Sequence, residues 1–166
     1  EVDGAKEVAV EFHTLSKSYN MAGWRLGFVV GNSAVLKSLA KVKSYIDFGI
    51  FRAVQLATIR ALTGPQDCVR ELVNIYNRRM NLFIDGLNRI GWKIDKPKGT
   101  FYVWTRIPEK YKKLSSLKFA SLLVENAGIV VAPGIGFGES GEGYIRFALV
   151  TDEERLKLAI ERLKKI

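Results

Sequence analysis

Two short stretches near the start of the chain predict strands. Val8 to Phe12 alternates apolar and polar side chains, and Leu26 to Val30 is an apolar run set among Gly23, Gly27 and Gly31. Between them lies a polar, turn-rich loop. From Ser33 to Ile46 and from Ile50 to Leu62 the pattern becomes helical, with Asp47 to Gly49 as the break. A longer helix follows: Pro65 occupies a permitted first-turn position, and Val69, Leu72, Val73, Tyr76, Met80, Phe83, Leu87 and Ile90 recur at spacings of three and four until Gly91. The remaining pattern predicts a strand at Phe101 to Arg106, a helix at Ser116 to Ala127, a strand at Ile129 to Ala132, a glycine-rich loop and a strand at Tyr144 to Val150. Thr151 and Glu154 form a capping-box pattern before a last helix, whose Leu156, Ala159, Ile160 and Leu163 share one face. The second half therefore reads as an α+β unit.

Composition narrows the class. With 166 residues, 48% of them hydrophobic, the chain can bury a core, and no apolar run approaches the roughly 20 residues that cross a bilayer. No signal-peptide pattern opens it, so the expected location is cytoplasmic, with no membrane partner. It begins without methionine and runs almost at once into a strand-like segment, as a piece of something longer would. One cysteine, Cys68, and one histidine, His13, leave no basis for a structural zinc site, and no metal is expected. The net charge of +9 raises the question of nucleic acid. Its Lys and Arg are scattered among acids without a groove-reading motif, so a solvated basic surface that attracts anionic metabolites is the better reading, with no nucleic-acid partner.

Arg146 needs an anion. It interrupts Y-I-R-F-A-L-V, otherwise a buried or half-buried strand, and an unpaired guanidinium stripped of water is costly. Either a protein carboxylate or a bound anionic ligand should meet it, since its planar fork suits a carboxylate bidentately, while an arginine on the solvent face of an edge strand is the competing reading. Lys17 sits in T-L-S-K-S-Y-N-M-A-G-W-R-L-G-F, with hydroxyls at Thr14 and Ser16 and a second cation, Arg25, eight residues on. Those groups suit a phosphate-bearing ligand held near a lysine. Gly134, Gly136, Gly138, Gly141 and Gly143 do not make a dinucleotide fingerprint, because a strand follows them where that motif requires a helix.

The stretch S-K-S-Y-N-M-A-G-W-R-L-G-F resembles the lysine signature of the fold-type I pyridoxal-phosphate aminotransferases of classes I and II. The similarity continues through D-F-G-I-F, P-K-G-T-F-Y-V-W, A-P-G-I-G-F-G and Y-I-R-F-A-L, covering essentially the whole chain. The resemblance implies an α/β fold of the PLP-transferase type I, with the tail of the large domain at residues 1–46, bridging helices at 47–90 and the small C-terminal α+β domain at 91–166. It implies that Lys17 binds pyridoxal 5'-phosphate covalently and shuttles protons, that Arg25 and Thr14 hold the cofactor phosphate, and that Arg146 grips the substrate α-carboxylate. Phe101 and Tyr102 would lie near the substrate side chain. Thr14 departs mildly from the family, where serine is commoner.

The implied reaction moves an amino group between an amino acid and a 2-oxo acid. Alanine (glutamate–pyruvate) aminotransferases are the nearest in pattern, with aspartate and diaminopimelate aminotransferases close, and a homodimeric parent is expected. The family's remaining cofactor-binding groups belong upstream of Glu1, so this chain alone is expected to be inactive. A lyase or synthase using the same cofactor, and a noncatalytic binding module of the same fold, remain as alternatives.

Overall fold

A computed structural model describes residues 2–166. It divides into two compact units, Glu1–Leu72 and Val73–Ile166. No helix among the described residues is long and apolar enough to cross a membrane.

The first unit is built on one antiparallel pair. A short helix α1 (Ala5–Val8) precedes strand β1 (Val10–Thr14), which pairs with β2 (Gly27–Gly31) so that Val10 lies opposite Gly31 and Thr14 opposite Gly27. The strand expected at Val8 to Phe12 thus begins two residues later. Gly4, at φ 76°, starts a helical turn that the Ala9 N–H closes on the Ala5 carbonyl at 2.8 Å, which uses the backbone groups that a strand at Val8 would need. The β1–β2 connection holds helix α2 (Leu15–Ser18) and a 3-10 turn at Ala22–Trp24. Helix α3 (Ser33–Ile46) is capped by the Asn32 side chain, which accepts from the Ala34 and Val35 amides at 2.9 and 3.0 Å, and ends at Asp47, whose carboxylate pairs with Lys43. Helix α4 (Arg52–Thr63) follows, and then α5 (Asp67–Arg89), which runs across the division between the units.

The second unit has two layers. Strands β3 (Tyr102–Arg106), β4 (Ala132–Pro133) and β5 (Tyr144–Ala148) form an antiparallel sheet in the order β3-β5-β4. Helices α6 (Ser116–Ala127) and α7 (Glu153–Leu163), with the later turns of α5, supply one face of the core. Met80, Phe83, Ile84 and Leu87 from α5 cluster with Val103, Ile145 and Phe147 from the sheet, Phe119 and Leu123 from α6, and Leu156, Ile160 and Leu163 from α7. The Phe83 and Phe147 rings meet edge to face at 5.0 Å.

Two expectations fail locally for identifiable reasons. The strand expected at Ile129 to Ala132 shrinks to Ala132–Pro133, because Gly128 ends α6 at φ 62° and the Ile129 N–H turns back to the Leu123 carbonyl at 3.1 Å. The Thr151–Glu154 capping box does not form: Asp152 is the cap, accepting from the Arg155 amide at 2.8 Å. Either residue type suits that position, and the choice of Asp152 moves the helix start by one residue.

Candidate functional site

The candidate residues fall into one group in each unit. In the first unit they gather at one end of the β1–β2 pair. Thr14 closes β1 opposite Gly27 and also caps α2, its Oγ1 accepting from the Ser16 amide at 3.1 Å. The same hydroxyl lies 2.9 Å from Ser16 Oγ and 3.1 Å from the Leu26 carbonyl, either of which can take its proton. Lys17 sits in the last turn of α2, exposed, and its carbonyl accepts from the Asn20 N–H at 3.4 Å. Arg25 ends the 3-10 turn in a left-handed conformation at φ 51°, and its Nη1 donates to the Ala22 carbonyl at 3.1 Å. A non-glycine residue in that region costs about 1 kcal/mol or more, and such strain is concentrated where side-chain placement matters. The Thr14 and Ser16 hydroxyls lie at the end of β1 and Arg25 two residues before β2, and these donor types suit a phosphate monoester.

A residue that sequence reasoning did not single out anchors this loop. The Tyr19 hydroxyl donates to Gln66 Oε1 at 2.8 Å, and Gln66 Nε2 donates to the Ala61 and Gly64 carbonyls at 3.0 and 2.7 Å. The loop that carries Lys17 is therefore tied to the turn between α4 and α5. The partners are 47 positions apart, and no local pattern signals the contact.

In the second unit the group lies on the outer face of the sheet. Arg146 is on β5, the middle strand, opposite Trp104 of β3 on one side and Ala132 of β4 on the other. The edge-strand reading is thereby excluded. Ile145 and Phe147 point into the core, so the alternation of β5 sends Arg146 to the opposite face, where it is half-buried. Its Nε is buried and, among the described residues, has no hydrogen-bond partner. The guanidinium carbon lies 4.2 Å from the centre of the Tyr102 ring and 4.4 Å from that of Phe137. Phe101 touches Tyr102 at 4.4 Å and stacks on Tyr76 at 4.9 Å. The structure thus brings Arg146, Tyr102 and Phe101 together, and adds Phe137, which the sequence placed only within a glycine-rich loop.

That loop is held at two places. Gly134 and Gly141 approach so closely that a Cβ on either would run into the carbonyl oxygen of the other. Glu142 accepts from the Ser116 amide at 2.5 Å and from the Ser116 hydroxyl at 2.9 Å, while Ser116 Oγ accepts from the Ile135 amide at 3.1 Å. The two bonds from Ser116, its backbone bond first, hold the Glu142 carboxyl below its ordinary pKa. A separate cavity of about 300 Å³, lined by residues including Trp92, Tyr111, Phe119 and Leu163, contains none of the candidate residues.

Comparison with known proteins agrees along nearly the whole chain. The family described as aminotransferase class I and II matches residues 1–163. The LL-diaminopimelate aminotransferase of Syntrophobacter fumaroxidans is 55% identical over 166 residues, all of this chain and 42% of that protein. The glutamate-pyruvate aminotransferase AlaC of Escherichia coli K12 is 49% identical over 164 residues, 99% of this chain and 40% of that protein. The apo structure of BacF from Bacillus subtilis superposes with a TM-score of 0.93 at 36% identity, covering 98% of this chain and 41% of BacF. The chain spans about 40% of the length of the curated relatives it matches. Its α/β architecture is that part of the fold-type I transferase fold, and the chain belongs to the aminotransferase class I and II family.

Proposed function

We propose that this chain is the C-terminal part of a pyridoxal-phosphate-dependent aminotransferase that moves an amino group between an α-amino acid and a 2-oxo acid. The observation that carries the reading is Arg146: a half-buried arginine on a middle strand, its Nε without a protein partner among the described residues, is built to receive an anion. A substrate α-carboxylate meets that need with two parallel N–H···O bonds.

In this reading Thr14 and Arg25 hold the cofactor phosphate and Lys17 carries the cofactor covalently. Bound there, pyridoxal phosphate would supply an electron sink for the charge that develops when a substrate α-carbon loses a proton. Lys17 Nζ takes that proton and returns it, and Arg146 binds the substrate carboxylate. Phe101 and Tyr102 lie beside Arg146 and border the substrate. Residues 1–46 belong to the large cofactor domain, 47–90 to the bridge and 91–166 to the small domain of a cytoplasmic homodimer that serves amino acid biosynthesis. The 166-residue chain by itself does not transaminate, since it corresponds to about 40% of its relatives' length.

Alanine and glutamate are the preferred substrates in this reading, in line with the likeness to AlaC. The 55% identity to an LL-diaminopimelate aminotransferase supports that substrate as the second reading. The test is borohydride reduction and peptide mapping of the full-length cofactor-loaded protein, followed by amino-donor assays with 2-oxoglutarate. A reduced adduct on Lys17, absent from Lys17→Ala, is expected, together with turnover of alanine above LL-diaminopimelate. Labelling at another lysine overturns the site, and the reverse donor preference overturns the substrate.

A further inference from the structure

We infer that Phe137 and Tyr102 are positioning residues whose rings together hold the Arg146 guanidinium in place for a carboxylate. The inference rests on the carboxylate role proposed for Arg146. Both ring centres lie within 4.4 Å of the same carbon. A guanidinium carbon this close to two rings is held from two directions, which restricts the rotamers open to the side chain. A guanidinium so held can meet a carboxylate with two parallel hydrogen bonds.

Other contacts show that Phe137 is held in place. Trp104, directly opposite Arg146 across the sheet, meets the Phe137 ring edge-on at 5.4 Å and stacks on Tyr144 at 5.4 Å, with the planes 11° apart. The Arg106 guanidinium carbon in turn lies 5.2 Å from the centre of the Tyr144 ring. The Gly134–Gly141 approach and the Ser116–Glu142 bonds close the loop on either side of Phe137. Tyr102 is fixed by β3 and by its contact with Phe101. A positively charged group against aromatic faces also gains from the ring quadrupoles, more so where water is partly excluded. The rings thereby offset some of the cost of keeping Arg146 half-buried before a ligand arrives.

The test uses the full-length cofactor-loaded protein and propanoate, the carbon skeleton of alanine without its reactive amine. Phe137→Leu and Tyr102→Leu should each weaken propanoate binding about tenfold, whereas Phe137→Tyr and Tyr102→Phe, which keep the rings, should bind within about twofold of the parent. In turnover, Phe137→Leu should raise KM for the amino acid with kcat changed less than about twofold, as expected for lost uniform binding. The Arg146 Nε–H proton should resonate upfield of ordinary arginines, because the guanidinium carbon to which Nε is bonded lies over two rings. Phe137→Leu binding propanoate as tightly as the parent while Arg146→Ala loses it overturns the inference and leaves the carboxylate role intact. If Arg146→Ala also binds normally, the carboxylate role itself fails. Should Phe137→Leu not fold, the Nε–H resonance of the unaltered protein decides: an ordinary shift overturns the inference.

Discussion

Glu142 and Ser116, 26 positions apart, are joined by two hydrogen bonds that run from the backbone amide and hydroxyl of Ser116 to the two oxygens of one carboxylate. Ser116 is fully buried, and its hydroxyl also receives the Ile135 N–H, so one side chain links the start of α6 to both ends of the glycine-rich loop. Ser116→Ala strands the Ile135 amide and half of the Glu142 contact. The expected loss is about 1–3 kcal/mol of stability, read from denaturant unfolding.

The same pair makes stability depend on pH. Its bonds to Ser116 hold the Glu142 carboxyl below the ordinary glutamate value of 4.5 in the folded protein. A group whose folded pKa is depressed contributes its full stabilisation above the unfolded value and loses it as pH falls through the folded one. Thermal midpoints should therefore hold above pH 4.5 and drop below it, with a shallower drop in Glu142→Gln. Equal slopes for the two proteins through the acid range count against the assignment.

Gly141 has no room for a side chain because the Gly134 carbonyl occupies that space. Gly141→Ala should force the loop apart, with a cost of about 1–3 kcal/mol or more, and should speed amide hydrogen exchange between residues 134 and 143. Gly136→Ala in the same loop meets nothing within 4 Å and should be close to neutral, which makes it the matched control.

In the proposed reading one Thr14 hydroxyl serves both capping and phosphate holding. Thr14→Ser keeps the oxygen that accepts from the Ser16 amide, and Thr14→Ala removes it. The alanine variant of the full-length protein should release pyridoxal phosphate about tenfold more readily by absorbance titration, and the serine variant within about twofold of the parent. Equal affinity in all three places the phosphate elsewhere.

Much of this fold was legible where local chemistry decides it. Helices α3 and α6 occupy the expected residues, Ser33 to Ile46 and Ser116 to Ala127, because Asn32 and Ser115 provide caps and Asp47 and Gly128 provide stops. The stripe on α5 was readable as a period, and its Met80, Phe83 and Leu87 are core residues. The short strands were less legible, since β1 and β4 depend on where neighbouring helical turns take their hydrogen bonds. In the candidate site, the need of Arg146 for an anion could be read from one charge in an apolar strand. Its place on the middle strand, and the parts played by Phe137, Ser116, Glu142 and Gln66, depend on contacts between distant segments that leave no mark in a local pattern.

The alternation of β5 also determines what kind of change this segment can accept. Ile145 and Phe147 face inward and Arg146 outward, with each residue in register against Trp104 or its neighbours. A single inserted or deleted residue between Gly143 and Arg146 would exchange the two faces, driving the cation into a sealed apolar interior and leaving an isoleucine or phenylalanine in its place outside. Substitutions here can be graded in their harm, but a shift in length cannot. Over evolutionary time the spacing of these few residues should therefore be guarded more strictly than their identities, and variation in length should be displaced into the connecting segments on either side of the sheet.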